Sequence, residues 1–197
     1  ETGLVAINGE NEEGKEALFK LLGGLERPDS GSIIFDNLVL SCKTERELAD
    51  FRSKYVSFVF KDDNLFENKT VEENLKVFET HSVFDKVVTM FKLEPLLDKP
   101  VSSLTLEQKS YISIARAMSK NSKIFLAQEL TEDISLELKR SYLLMLKSLS
   151  QTRLVIVVSR EDYEIDEYAD VFIEVDRNSP IHVNYFNQMV IRNILAS

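Results

Sequence analysis

The sequence predicts an α/β fold built on a mostly parallel sheet with an inserted helical subdomain, and three observations carry that prediction. Short β-rich runs alternate with helical patterns along the chain. Several of the runs are continuously apolar, as strands buried on both faces are. The stretch 62–119 is helical in pattern almost throughout, yet it lies between two strand candidates.

In chain order, the strand candidates are 4–8, 32–35, 56–60, 123–127, 154–159 and 171–175. Helical stretches lie between them at 15–22, 83–91, 107–119 and 135–149, where apolar residues recur at three- and four-residue spacing. Residues 1–3 read as an expression scar, so both ends of the sequence are expected to be imposed boundaries. Residues 4–197 are expected to form a single domain, with the helical subdomain at about 62–119.

Composition narrows the function. At 197 residues and 44% hydrophobic content the chain can bury one sizeable core. A formal net charge of -9 excludes a phosphate-rich partner as the default, because nucleic-acid affinity comes largely from Lys and Arg neutralising backbone phosphates. One cysteine, Cys42, allows no internal disulfide, and with His81 and His182 it gives no metal-ligand spacing, so no metal site is expected. No apolar run approaches the roughly 18 residues of a membrane span, so the chain is expected to carry no transmembrane segment of its own.

Chemistry concentrates after the first strand, in Val5-Ala6-Ile7-Asn8-Gly9-Glu10-Asn11-Glu12-Glu13-Gly14-Lys15-Glu16. A P-loop reads G-x-x-x-x-G-K-[ST] between a strand and a helix, since glycines let backbone N–H groups wrap a phosphate at a helix start. Gly9, Gly14 and Lys15 keep that spacing, while Glu16 stands where a hydroxyl would hold magnesium. Gly9, Asn11, Gly14, Lys15 and Glu16 are therefore candidate phosphate-side residues, and the fold is expected to be P-loop NTPase-like, with the helix starting at Lys15.

The later segments fall in an order that resembles the nucleotide-binding domain of ABC transporters over almost the whole chain. Leu21-Leu22-Gly23-Gly24-Leu25-Glu26-Arg27-Pro28-Asp29-Ser30-Gly31-Ser32-Ile33 looks like the family's exit from the P-loop helix. Glu47 to Arg52, followed by Val56 to Lys61, resembles the Q-loop approach of the branch serving macrolide exporters and lipoprotein-release systems. Val101 to Lys109 aligns with the signature motif, which makes Gln108 a further candidate for contact with nucleotide. Ile124-Phe125-Leu126-Ala127-Gln128-Glu129 resembles the Walker B strand, and Val155 to Val158 leads to the switch-histidine position. The family's opening strands and adenine-stacking aromatic have no counterpart in these residues.

At most of these landmarks the residue that carries the family's chemistry is replaced. Lys61 stands for the Q-loop glutamine, Arg160 for the switch histidine, Gln128 for the magnesium-binding aspartate, and Thr105, Leu106 and Glu107 for the signature Ser-Gly-Gly. Glu129 keeps the acid that in the family polarises the attacking water, and it is also readable as an ordinary acid at a helix start. Gln128 offers no charged oxygen to magnesium, which prefers carboxylates and phosphates. Lys15, Lys61 and Arg160 are expected either to pair with Glu12, Glu16 and Glu129 or, for Lys61 and Arg160, to face solvent.

ATP and magnesium are the cofactors the resemblance implies, and the replacements lead to the expectation that this chain uses neither. The resemblance further implies a cytoplasmic protein at the inner membrane face, partnered by a permease and by a second cassette. Two functions follow as expectations: a non-catalytic scaffold or regulatory cassette, and, as the alternative, a weakly active ATPase in a composite site with a competent partner.

Overall fold

Strand β1 (Gly3–Asn8) runs through the middle of a sheet and is buried along its whole length. The computed structural model describes residues 2–78, 81–128, 136–159, 165, 167–177 and 182–185. After β1 come helix α1 (Glu12–Leu22), strands β2 (Ile34–Phe35) and β3 (Leu38–Val39), helix α2 (Glu45–Tyr55) and strand β4 (Val56–Val59). Helices α3 (Val71–Leu75), α4 (His81–Phe91) and α5 (Leu106–Ser119) then precede β5 (Ile124–Gln128). The order closes with helix α6 (Leu136–Leu149) and strands β6 (Leu154–Val158), β7 (Val171–Glu174) and β8 (His182–Tyr185).

The six-stranded sheet has the order β4-β5-β6-β1-β7-β8. Every neighbouring pair is parallel except β7 with β8. Parallel strands need crossovers, and here helices supply them, so both sheet faces are covered and the strands can be apolar throughout. Alternate residues go to opposite cores. Leu4, Ala6, Phe125, Ala127, Val155 and Val157 share one cluster with residues of α3 to α6. Val5, Ile7, Ile124, Leu126, Ile156 and Val158 pack on the other face against Phe19 of α1 and Leu48 and Phe51 of α2.

Two sequence expectations are corrected. The strand expected at 32–35 does not join the sheet: Ile34–Phe35 pairs only with Leu38–Val39, in a hairpin turned by Asp36 at φ 51°. A helix start expected at Lys15 lies instead at Glu12, because Asn11 caps it, its side-chain oxygen accepting from the Gly14 N–H. Helix α2, unassigned from periodicity, is fixed by a capping box in which Thr44 and Glu47 satisfy each other's backbone N–H groups.

The parallel strands place their carboxyl ends together. Ile7 and Gln128 both lie level with Val158 in the register. The carboxyl ends of β1, β4, β5 and β6 therefore gather along one edge, where ligands of open α/β sheets bind.

Candidate functional site

The turn after β1 is tightly built. Gly9 has φ +117°, and a Cβ placed there would lie 2.5 Å from the Val175 carbonyl oxygen, so glycine is required both by conformation and by space. At Gly14 a Cβ would lie 2.8 Å from Asn11 Nδ2 and 2.9 Å from Val175 Cγ1. Val175, just past β7, clasps the turn. Its N–H donates to Asn8 O at 2.8 Å, and its carbonyl accepts from the Asn11 N–H at 3.1 Å.

Two backbone donors of this helix start have partners inside the chain. The Gly14 N–H donates to Asn11 Oδ1 at 2.9 Å. The Lys15 N–H makes the first turn's bond to Asn11 O at 2.9 Å. Helix α1 consequently takes in Glu12, Glu13 and Gly14, residues that would otherwise belong to an open loop.

Lys15 is buried, its side chain 1% exposed. Its Nζ lies 2.9 Å from Glu12 Oε1 and donates to the Ser159 carbonyl at 2.8 Å. Ser159 sits just past β6, and its hydroxyl bonds Asn8 Oδ1 at 3.1 Å. Lysine, the β1 turn and the end of β6 are thus joined in one buried polar group.

Glu16 goes elsewhere. Its carboxylate pairs with Lys20 at 2.8 Å one turn along α1, and Lys20 also pairs with Glu26. Those two carboxylates, Glu16 first, hold the Lys20 ammonium above its ordinary pKa. The expected cluster of Glu16 with Lys15 is therefore corrected: an i,i+4 pair on the helix surface captures Glu16, as helical spacing favours.

A second helix start, that of α5, carries the signature-like residues. Thr105 Oγ1 accepts from the Gln108 N–H, and the Gln108 side chain accepts from the Thr105 N–H at 3.1 Å. Gln108, a candidate for nucleotide contact, is engaged in this capping box. Leu106 projects from the first turn at 69% exposure.

Between the two starts runs the passage from β4 to α3. Lys61 is exposed there. Arg116, buried in α5, donates to the carbonyls of Asn64 at 2.8 Å and Asp63 at 3.0 Å, and Ser113 adds a bond to Asp63 O at 3.1 Å. Burial lowers the Arg116 pKa, with the nearby Asp63 charge opposing. Sequence reading missed this fastening, although one charged residue within the apolar run Ile114-Ala115-Arg116-Ala117 was its visible signal. Gln128 ends β5 half-buried. Glu129 and Arg160 lie outside the described residues.

Comparison with known proteins bears on all of this. The profile of the ABC transporter family matches residues 1–132. The chain is 31% identical over 179 residues to a macrolide export ATP-binding/permease protein, MacB, of Pasteurella multocida, covering 86% of this chain and 28% of that protein. It is 34% identical over 174 residues to a molybdenum import ATP-binding protein, ModC, of a Shewanella strain, covering 85% and 48%. The chain thus spans less than half the length of these relatives. Among solved structures, the ATP-binding cassette MJ0796, in a dimeric post-hydrolysis state with ADP and phosphate, superposes with a TM-score of 0.82. That match is 22% identical and covers 93% of this chain and 85% of the other, so it shows a shared fold.

Proposed function

This chain belongs to the ABC transporter family, and from that premise we propose that it is a non-catalytic ATP-binding cassette, a scaffold or regulatory domain that works beside a membrane permease and a second cassette. The observation that carries the reading is the state of the two helix starts that serve phosphate in the family. The Gly14 N–H is bonded to Asn11 and the Gln108 N–H to Thr105. A triphosphate on the β1 turn would have to displace the Asn11 cap, and one presented by a second cassette the Thr105 cap, each worth about 1 kcal/mol. It would also meet the Glu12 carboxylate beside the lysine that should receive it.

Magnesium fares no better. Glu16 is turned toward Lys20, and Gln128 is an amide where a hard cation prefers a charged oxygen. The residues present do not fit a magnesium-bound nucleotide. The relatives export macrolides or import molybdenum by their names. For this chain the permease partner and a place at the cytoplasmic membrane face rest on family membership, and no helix among the described residues is long and apolar enough to cross a membrane.

Thermal unfolding with and without millimolar Mg-ATP tests the reading. A ligand at 100 times its dissociation constant adds about 2.7 kcal/mol, an unmistakable rise in midpoint. The unmodified chain is expected to show none. A variant with Glu12→Gly, Glu16→Ser and Gln128→Asp is expected to regain part of it. A magnesium-dependent rise in the unmodified chain overturns the proposal in favour of a weakly active ATPase in a composite site.

A further inference from the structure

In a P-loop the lysine reaches forward to the phosphates of a bound nucleotide. Here Lys15 is 1% exposed, and its ammonium already meets an anion, the Glu12 carboxylate at 2.9 Å. Glu12 is the first residue of α1 and is 48% exposed. Its carboxylate consequently sits at the positive end of a helix, where anions are favoured, and on the solvent side of the lysine. Opposite it, Ser159 O holds the ammonium from the protein interior at 2.8 Å.

We propose that Glu12 is a self-inhibitory occupant of the phosphate position, one carboxylate that engages Lys15 in place of an external anion. The proposal rests on the P-loop reading above and adds a mechanism to it: the anion site is filled from within, and the fill is removable. A buried ammonium needs a partner, because an unpaired one carries the desolvation cost of the whole charge. Here Glu12 supplies a partner from within the chain, whereas in an open loop the ligand supplies it only when bound. Half-exposed as it is, the Glu12 side chain can be truncated without opening a void in either core.

Removing the carboxylate therefore opens the Glu12 side of Lys15 to a small anion. The probe is inorganic pyrophosphate, followed by its effect on the thermal midpoint of the unmodified chain, of Glu12→Ala, and of the double variant Glu12→Ala, Lys15→Met. Glu12→Ala is expected to bind pyrophosphate on the order of tenfold tighter than the unmodified chain, and the double variant is expected to lose that gain. Equal responses in all three proteins overturn the proposal, since the anion then binds elsewhere. No response in Glu12→Ala overturns it as well. Should Glu12→Ala fail to fold, the double variant decides: recovery of folding identifies the lysine deprived of the Glu12 carboxylate as the cause, and failure alike contradicts it. Binding of Mg-ATP by the unmodified chain would sink the non-catalytic reading, whereas the pyrophosphate comparison concerns only Glu12 and Lys15, so the two failures are distinguishable.

Discussion

The two helix starts at Asn11 and Thr105 are capped in similar ways, yet they are embedded very differently. At Asn11 the cap lies over a buried lysine, beside a glycine with φ +117° that the Val175 carbonyl closes in on. At Thr105 the cap is an exposed reciprocal box, followed by a leucine projecting at 69% exposure. One start is therefore part of the core, held by an internal ion pair and by a helix that begins at Glu12. The other is a surface feature, where Leu106 and Glu107 stand in for family glycines without any compensating contact being required. On the proposed reading, phosphate is excluded at the first start by the packed interior and at the second by what the surface presents.

Substitution at the core start should have the larger consequence. Gly9→Ala combines a disfavoured backbone conformation with a Cβ 2.5 Å from a backbone oxygen, and is expected to cost about 3–5 kcal/mol in urea unfolding. A cost under about 1 kcal/mol would show that the turn relaxes and that the contrast between the two starts is false. Thr105→Ala, at the surface start, is expected to cost about 1 kcal/mol by the same measurement. A much greater loss would place the α5 start inside the cooperative core.

The protonation behaviour of the caps sharpens the contrast further. The box at Thr105 uses Gln108 and does not titrate, whereas α2 uses Glu47 and α3 uses Glu73. A hydrogen bond from Lys43, then those from Thr44, lower the Glu47 pKa to about 2 from 4.5. The bond from Lys69, then that from Thr70, lowers Glu73. Because the folded values lie below the unfolded ones, these contributions are present above about pH 4.5 and are lost as pH falls through the folded pKa. A carboxyl titration by NMR should give Glu47 a midpoint near 2 while the α5 start keeps its amide shifts. A Glu47 midpoint at 4.5 would remove the capping box from solution.

Most of the sheet was legible in the sequence, since β1, β4, β5, β6 and β7 are short, largely apolar runs of the kind a doubly covered sheet buries. The hairpin at Ile34–Phe35 was not, because a short apolar run reads alike whether it pairs within the sheet or with its own neighbour. Helix α2 escaped periodicity, but Thr44-x-x-Glu47 announces it as a capping box. At the site, Gly9, Gly14 and Lys15 were legible from spacing alone. What sequence could not show was the partner each residue chose. Glu16 has Lys20 four residues on as well as Lys15 beside it, and only helix geometry decides between them. Val175 and the Ser159 carbonyl contribute backbone atoms, which carry no sequence signature at all.

Isothermal calorimetry of the unmodified chain with ATP, in the presence and absence of magnesium, tests the central claim most directly. With Glu12 on Lys15 and both helix starts capped from within, the account predicts no magnesium-dependent heat at millimolar nucleotide. A magnesium-dependent dissociation constant in the low micromolar range, about −8 kcal/mol of binding free energy, would contradict it.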